Sequence, residues 1–439
     1  MTHHNDFLII DGGRPLAGDL RIYGAKNSAL YLMLASLLTD EPVVLEDVPR
    51  LSDVLVTEEI LRHVGVETHW DGRDLHLHAR TIATCHAPYR LVSKMRASFV
   101  AMGALLARCG EARIPMPGGC AFGPRPVDRH IQAFRDLGVQ VVEAEGDFVA
   151  RRDGPLGDHV SFEVSTVGGT QNVLLAAALS GKEVVIENAA LEPEVPDLAG
   201  MLSAMGAPVE GVGTSVLRVH GAQRLRGVRY RPIPDRIEAG TYLLAAAASR
   251  GRVRLENVLT RHLDATLEAL ARAGVRVETA SDRVEIDASG PLVPTDVVAR
   301  PFPGLPTDLQ APFGAFLATI EGHSTVRDEI YPYRFTHVDA LARSGALMHL
   351  EDRVLHIEGG PLVGATMHAA DIRAGGALIV AAVAAQGRSE ISGVEFIDRG
   401  YEDIAGRLAR LGAEVVRARD AGATGPREPE LFVTGTYGR

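Results

Sequence analysis

Leu243-Leu-Ala-Ala-Ala-Ala-Ser-Arg-Gly-Arg-Val-Arg-Leu-Glu256 is the stretch that decides the fold, because it joins a small-residue helix to a strand. Leu243–Ala248 predicts a helix that close neighbours bury, and Val253–Glu256 alternates like a half-buried strand. A similar unit recurs six times along the 439 residues, at a period of roughly 70 residues. Such repetition indicates symmetric supersecondary units.

Each repeat contains a small-residue helix, a strand and a second, amphipathic helix that ends at a glycine. The small-residue helices are predicted at Ala29–Leu38, Ala97–Ala107, Val173–Leu179, Leu243–Ala248, Ala311–Ala318 and Ala377–Ala385. The closing glycines are Gly65, Gly138, Gly206, Gly274, Gly345 and Gly412. Alternating helices and strands predict the α/β (α+β) class. Six repeats divide into two similar domains of three, with helices inside and sheets outside.

Prolines mark the predicted boundary between these domains. Arg231-Pro-Ile-Pro234 interrupts both the strand and the helix pattern, and a second crossing is predicted around Tyr23–Ala25. We therefore predict one domain of residues 24–232 and a second of residues 1–23 plus 233–439. Met1–Ile22 is expected to add a strand pair to the second domain, and Leu431–Val433 is expected to form the last strand.

The composition is that of a soluble globular protein, with 46% hydrophobic and 23% charged residues. A net charge of −11 argues against a nucleic-acid partner. The apolar runs are shorter than the ~20 residues that cross a bilayer, and no leader is apparent. Three cysteines leave no even disulfide set, which favours a reducing compartment. We predict a cytoplasmic protein without a membrane partner, and the oligomeric state stays open.

One cysteine lies in an unusual segment, Pro117–His130, which contains three glycines and three prolines. This composition predicts an exposed loop, followed by a helix that begins near Val127. A thiol there is accessible, and the nearby Arg125 could tune its pKa. Cys120 is therefore a candidate acid or nucleophile. The alternative is an ordinary surface cysteine, and for Cys85 and Cys109 we favour a structural role.

Cations form a second pattern, because they recur at or beside predicted helix starts. A helix N-terminus is already positive, so a cation there makes sense where an anion binds between the two. A solvated surface charge explains one such residue, but it does not explain the recurrence. The residues are Lys26, Arg96, Arg125, Arg334, Arg373 and Arg399.

Three carboxylates, Asp235, Asp308 and Asp371, also stand at predicted helix starts. Capping, worth about 1 kcal/mol each, is an adequate explanation for Asp235. Asp308 and Asp371 could instead orient a hydroxyl group or act as a general base. Together with the cations and the thiol, they predict a site for a small, doubly anionic substrate.

We expect no metal and no cofactor. The spacing of His130, His323 and His337 does not match that of metal ligands. The glycines of Thr166–Thr170 match neither a Walker nor a Rossmann pattern.

Several motifs resemble one family across nearly the whole chain, from about Phe7 to Gly435. They are Gly24–Asn27, Pro117–Cys120, Arg125–Asp128, Pro306–Asp308, Asp371–Arg373 and Asp398–Glu402. Their family is that of the UDP-N-acetylglucosamine 1-carboxyvinyltransferases, which are enolpyruvyl transferases. The resemblance implies two inside-out α/β domains with the active site in the cleft between them. It also implies addition of the 3′-hydroxyl of UDP-N-acetylglucosamine to phosphoenolpyruvate with loss of phosphate, the first committed step of peptidoglycan precursor synthesis.

The resemblance also implies a role for each matching residue. Cys120, on a loop that closes on the substrate, would protonate C3 of phosphoenolpyruvate, and Asp308 would take the hydroxyl proton. Residues that would hold phosphoenolpyruvate are Lys26, Asn27, Arg125 and Arg399. Those that would contact the UDP-sugar are Arg96, Arg125, Pro126, Val127, Asp128, Arg129, Val164, Ser165, Thr166, Val167, Asp308 and Ile330. Arg334, Asp371 and Arg373 would complete the charged lining.

Two alternatives remain. The related transferase that acts on shikimate 3-phosphate shares the fold and the phosphoenolpyruvate chemistry, but the cysteine loop and Lys26-Asn27 argue against it. A regulator that binds UDP-sugars without turnover is the second, and the presence of Cys120, Asp308 and Arg399 argues against that.

Overall fold

The computed structural model describes residues 6–93, 95–116, 127–419 and 430–431. Its helices are α1 (Lys26–Ala35), α2 (Ser52–His63), α3 (Tyr89–Val92), α4 (Ala101–Cys109), α5 (Asp128–Asp136), α6 (Val167–Ala177), α7 (Glu194–Met205), α8 (Arg236–Ala248), α9 (Asp264–Arg272), α10 (Gln310–Leu317), α11 (Val338–Ala342), α12 (Ile372–Ala384), α13 (Val394–Ile397) and α14 (Ile404–Arg410). Short 3₁₀ helices cover Ser36–Leu38, Arg96–Val100, Thr260–His262 and Thr307–Leu309.

Short strands separate the helices. They are β1 (Asp6–Gly12), β2 (Ala17–Arg21), β3 (Val43–Leu45), β4 (Glu67–Asp71), β5 (Asp74–His78), β6 (Glu111–Pro115), β7 (Gln140–Ala144), β8 (Asp147–Arg151), β9 (His159–Ser161), β10 (Glu183–Glu187), β11 (Val209–Glu210), β12 (Val216–His220), β13 (Arg229–Tyr230), β14 (Arg252–Glu256), β15 (Arg276–Thr279), β16 (Arg283–Asp287), β17 (Val297–Ala299), β18 (Gly322–Asp328), β19 (Leu347–Glu351), β20 (Val354–Gly359), β21 (Thr366–His368), β22 (Gly387–Ser392), β23 (Glu414–Arg419) and β24 (Glu430–Leu431).

The chain divides into two compact units. The first unit is Tyr23–Ile233, and the second comprises the described parts of Met1–Ile22 and Pro234–Arg439. In the first unit the sheets have the orders β13-β3-β5-β4, β6-β8-β7 and β11-β12-β10-β9. The corresponding orders in the second unit are β15-β16-β14-β2, β17-β18-β20-β19 and β21-β22-β1-β23-β24. Each unit thus carries three sheets among its described residues, one per repeat.

Helices of small residues pack together inside each unit. In the second unit α8, α10 and α12 all contact one another, and in the first unit α4 contacts both α1 and α6. Every residue of α8 is buried, as expected for a helix with neighbours on all sides. Each unit has its own hydrophobic core. The predicted α/β class, with two similar three-fold repeats of inner helices and outer sheets, is confirmed.

The closing glycines of the repeats share one backbone conformation. Each follows the second helix of its repeat with a positive φ, between +77° at Gly138 and +115° at Gly206. A left-handed residue just after a helix is the position at which glycine avoids a steric penalty. The spacing of these glycines therefore has a direct structural cause in all six repeats.

Two expectations need correction. Met1–Ile22 was expected to supply a strand pair, but β1 lies between β22 and β23 whereas β2 pairs with β14 in another sheet. Alternation along a strand does not specify its partner, so the sequence could not distinguish these arrangements. The absence of an even cysteine set argued against disulfides, but Cys85 and Cys109 form one. An odd number of cysteines still permits one pair. The cysteine count therefore no longer favours a reducing compartment, and the cytoplasmic location stays a prediction.

Candidate functional site

A carboxylate held between two guanidinium groups lies where the inner helices of the second unit begin. Asp308, in the 3₁₀ turn before α10, is 2.8 Å from Nη1 of Arg334 and 2.7 Å from Nη2 of Arg373. The two arginine side chains are 8% and 6% exposed, whereas that of Asp308 is 21% exposed. Such pairing stabilises the ionised carboxylate. Asp308 therefore presents a partly exposed anion backed by two buried cations.

Arg373 is fixed from both ends. Burial is the largest single influence and lowers the pKa of Arg373, but the charge and hydrogen bond of Asp308 outweigh it together with Tyr401 and Asp235, so the pKa is raised. Its backbone N–H donates to Oδ1 of Asp371, at 2.8 Å, and that of Ala374 donates to the same atom, at 3.1 Å. Asp371 thus caps α12, and Thr336 donates to its second oxygen. The cap is therefore observed for Asp371, and its part in the charged lining of the substrate site stays a prediction.

A buried carboxylate that sequence reasoning missed organises the same region. Asp328, at the end of β18, accepts hydrogen bonds from the backbone N–H groups of Ile330 and Tyr331, both at 2.8 Å. It also accepts from Thr307, whose hydroxyl oxygen accepts from Nη1 of Arg334 at 3.2 Å. Burial raises the pKa of Asp328. The half-buried Ile330 is therefore tied to the turn that carries Asp308.

Two residues of the Asp398–Glu402 motif, Asp398 and Tyr401, have structural roles. Tyr401 is fully buried against Arg373, and its hydroxyl group is 3.0 Å from that of Thr241. Asp398 accepts two hydrogen bonds from Arg417, at 2.9 and 2.8 Å. Arg399 itself was predicted beside a helix start but lies between α13 and α14, half-buried. The correction follows because α13 is a single turn that ends before Arg399.

Asp235 caps α8, as predicted, by accepting from the backbone N–H groups of Ile237 and Glu238 at 2.9 and 3.0 Å. The 3₁₀ turn that carries Asp308 contacts both α8 and α10, and the charge of Asp235 also acts on Arg373 at the start of α12. The predicted recurrence of polar helix starts thus corresponds to one cluster in the second unit.

Two other buried groups were not predicted. Arg407 is 1% exposed and lies 3.3 Å from Glu238. His337 is 1% exposed, and neither ring nitrogen has a hydrogen-bond partner among the described residues. Burial lowers the pKa of His337 to about 4, so this imidazole is neutral at pH 7. Neither residue belongs to a motif that would reveal its burial.

In the first unit, Lys26 is the first residue of α1 and is nearly buried. Its ammonium nitrogen is 3.1 Å from Oδ2 of Asp53, and the two side chains are 7% and 6% exposed. A solvated surface charge is therefore the wrong description of Lys26. The preceding Ala25 provides no side-chain cap, and Asn27 is half-buried beside it. This helix start combines a cation with first-turn amides, which suits an anion.

The start of α1 rests on a second buried carboxylate that the sequence did not reveal. Asp197 accepts hydrogen bonds from Ser28, from the hydroxyl group of Tyr230 at 3.0 Å and from the backbone N–H of Ile233 at 3.1 Å. Burial raises the pKa of Asp197 to about 6. The residue links α1, α7 and the end of the first unit.

Segment 164–167 leads into α6, which begins at Val167. Val164 and Ser165 are exposed, and Thr166 and Val167 are half-buried. Thr166 caps the helix, with Oγ1 accepting from the N–H of Gly169 at 3.4 Å. The 3₁₀ helix that begins at Arg96 lies against both α1 and α6.

Helix α5 begins at Asp128, one residue after the predicted position. Asp128 and Arg129 are exposed, but the side chain of Val127 is in the core, at 2% exposure. His130 follows Arg129, and its Nδ1 atom is 3.0 Å from Nδ2 of Asn172. Asn172 in turn accepts from the N–H of Gly103 at 2.7 Å, which ties α4, α5 and α6 together. Asn172 was not predicted.

Cys120, Arg125 and Pro126 lie outside the described residues, and the same holds for the side chain of Arg96. Their assigned roles stay predictions. Among the described residues, the structure brings Asp308, Arg334, Asp371 and Arg373 together in the second unit. Lys26 and Asn27 stand at one helix start in the first unit.

Comparison with known families identifies the chain. The model of the family described as EPSP synthase (3-phosphoshikimate 1-carboxyvinyltransferase) matches residues 10–408. The chain belongs to this family. A relative named UDP-N-acetylglucosamine 1-carboxyvinyltransferase, from Thermus thermophilus, is 55% identical over 93% of this chain and 96% of its own length. Another of that name, from Deinococcus radiodurans, is 46% identical over 93% of this chain and 97% of its own length.

Solved structures of two other proteins share the fold. The enolpyruvyl transferase NikO from Streptomyces tendae has a TM-score of 0.85 at 25% identity, and the match covers 95% of this chain and all of that one. EPSP synthase from Acinetobacter baumannii has a TM-score of 0.70 at 18% identity over 94% of this chain and 99% of its own. The prediction of an enolpyruvyl transferase is thus confirmed.

Across the described residues, every helix falls short of the length and apolar character that a membrane crossing demands.

Proposed function

We propose that this chain transfers the enolpyruvyl group of phosphoenolpyruvate to the 3′-hydroxyl of UDP-N-acetylglucosamine and releases phosphate. The observation that carries this proposal is the near full-length 55% identity to a relative that bears the name of this reaction. The charged cluster at Asp308 supports it, because the reaction needs a group that accepts a proton beside cations that bind anions. The product would enter peptidoglycan precursor synthesis.

Asp308 orients the acceptor hydroxyl group and takes its proton. Its carboxylate is partly exposed while its two guanidinium partners are buried, so an incoming hydroxyl group reaches the oxygens from the exposed side. Arg334 and Arg373 keep the group ionised and fix its rotamer. The oxygen that loses the proton then attacks C2 of phosphoenolpyruvate.

Lys26 and Asn27 bind phosphoenolpyruvate, together with Arg125 and Arg399. The buried Asp53 balances the positive charge of Lys26, which allows the lysine to remain ionised before the substrate arrives. A phosphate with a carboxylate carries more negative charge than one lysine balances, so two further arginines suit this ligand. Arg96, Asp128, Arg129, segment 164–167 and Ile330 are proposed to contact the UDP-sugar, with Val127 restricted to backbone contacts and Pro126 beside it.

Cys120 supplies the proton that C3 of phosphoenolpyruvate gains when the sugar oxygen bonds to C2. In the second half of the reaction C3 returns a proton to the thiolate that the first half left on Cys120, and the bond between C2 and the phosphate oxygen breaks. The double bond is thereby restored and phosphate leaves. A thiol in this role would also react with the covalent inhibitor fosfomycin, so we propose that Cys120 is its target.

A phosphate-release assay with each acceptor tests the proposal. The description of the matched family names the shikimate reaction, so that acceptor is the relevant competitor. We expect release with UDP-N-acetylglucosamine and none above background with shikimate 3-phosphate. Turnover with shikimate 3-phosphate alone would overturn the assignment. UDP-sugar binding without any phosphate release would favour a regulator.

A further inference from the structure

The hairpin of β19 and β20 places two histidines and a glutamate on one face. His349 is directly opposite His356 in the antiparallel register. The turn residues Asp352 and Arg353 both have positive φ, +48° and +66°, which is the geometry of a two-residue hairpin that fixes this register. Glu351 lies two residues beyond His349 on the same strand, and alternate residues of a strand share a face.

The three side chains are close enough to share a ligand. The imidazole rings of His349 and His356 are stacked, with centroids 4.9 Å apart and planes inclined by 15°. Nε2 of His349 is 3.8 Å from Oε2 of Glu351. One donor atom of each residue lies within 4.8 Å of one donor atom of each of the others. Two imidazoles and a carboxylate form a donor set that suits Zn²⁺.

The first unit contains a matched hairpin that lacks this convergence. In β4 and β5, His69, Asp71 and His76 repeat the spacing of His349, Glu351 and His356, and His69 is directly opposite His76. The imidazole centroids there are 5.9 Å apart, with planes inclined by 52°. Aspartate is one methylene shorter than glutamate, so Asp71 reaches less far. Among the described residues, only the β19–β20 hairpin brings three such donors together.

We propose that His349, Glu351 and His356 bind one Zn²⁺ ion on the outer face of this sheet. Tetrahedral coordination at ~2.0–2.1 Å places ligand atoms roughly 3.3 Å apart, so the donors must move inward by about an ångström. His349 and Glu351 have the freedom to do this, because their side chains are 66% and 70% exposed. Water would fill the fourth position. The expectation of no metal rested on histidines considered singly, without their cross-strand register.

A neighbouring histidine flanks this metal site and is not a ligand. The ring of His323, on the adjacent β18, is 5.5 Å from that of His356. Its Nδ1 is 2.6 Å from Oε1 of Glu358, so its carboxylate partner is a different one. His323 therefore provides a test of which residues hold the ion.

The test is Zn²⁺ titration of the untagged full chain against a chromophoric chelator, comparing the wild type with single variants. His3 and His4 remain in every variant, so any binding at the N-terminus cancels. We expect His356→Ala to weaken Zn²⁺ binding at one site by at least about tenfold. Loss of a residue that only hydrogen-bonds a metal ligand already costs about that much, and loss of a ligand itself should cost no less. Glu351→Gln should weaken it too, whereas His76→Ala and His323→Ala should match the wild type.

Enzyme activity serves as the control for correct folding of each variant, because none of these residues belongs to the proposed transfer machinery. His356→Ala should release phosphate at the wild-type rate, which would show that its weaker Zn²⁺ binding is local. Wild-type affinity in both His356→Ala and Glu351→Gln would overturn the proposal. An equal loss in His76→Ala would show non-specific histidine binding, and an equal loss in His323→Ala would refute the assigned ligand set.

Discussion

Replacing Asp308 by asparagine would remove the anion that balances Arg334 and Arg373. Both arginines are nearly buried, so the variant removes the carboxylate that pairs with each of them. Breaking a buried pair costs about 3–5 kcal/mol, and the partial exposure of Asp308 places this case near 3 kcal/mol. At ~2–4 °C per kcal/mol, the melting temperature should fall by roughly 6–12 °C. Loss of a group that accepts a proton should independently reduce kcat by about 10²–10⁴-fold.

A charge-matched double variant separates these two effects. Adding Arg373→Gln to Asp308→Asn removes one of the two buried cations that lost this carboxylate, so part of the lost thermal stability should return. Phosphate release at saturating substrate should stay as low as in the single variant, because no carboxylate is restored. Thermal unfolding and kcat are measured on the same preparations. Recovery of kcat along with stability would refute the proposed chemical role of Asp308, as would a single variant that keeps more than about a tenth of wild-type kcat.

The remaining predictions concern other groups. Lys26→Ala should raise KM for phosphoenolpyruvate at least about tenfold and leave that for the UDP-sugar within about threefold, and equal increases would contradict its role. Cys120→Asp should retain measurable turnover, since a carboxylic acid still donates a proton, and should resist fosfomycin, whereas full sensitivity would place the reactive thiol elsewhere. The contribution of Asp197 to stability is complete below pH ~4 and is lost as the pH rises through about 6, because its folded-state pKa is raised. Urea unfolding should therefore show about 3 kcal/mol less pH dependence between pH 4 and 7 in Asp197→Asn, and an unchanged slope would contradict this. Alkylation of the denatured, unreduced protein should label one cysteine, whereas three labelled cysteines would exclude the Cys85–Cys109 disulfide.

Local periodicity was enough to predict the six inner helices, but not their starts. The third was expected at Val173 and begins at Val167, because Gln171 and Asn172 are polar yet fully buried. Their hydrogen bonds go to groups distant in sequence, such as the N–H of Gly103, and no local pattern reveals such partners. The separate sheets of β1 and β2 escaped prediction for the same reason.

Part of the candidate site was also predictable. A cation at a helix start conflicts with the positive end of the helix, so Lys26 and Arg373 could be selected from the sequence alone, and Asp308 could be selected through the Pro306–Asp308 motif. Asp328 and Asp197 could not, because a single aspartate after a strand or within a helix gives no signal until its distant donors are known. Whether the residues of the two units act on one bound substrate pair stays a prediction.

The most direct measurement follows turnover by NMR with phosphoenolpyruvate labelled with ¹³C at C2 and unlabelled UDP-N-acetylglucosamine. We predict a labelled enol ether whose ¹³C nucleus couples to the proton on C3′ of the sugar, formed in step with inorganic phosphate. No labelled sugar product, or labelled product only when shikimate 3-phosphate replaces the UDP-sugar, would contradict the proposed reaction.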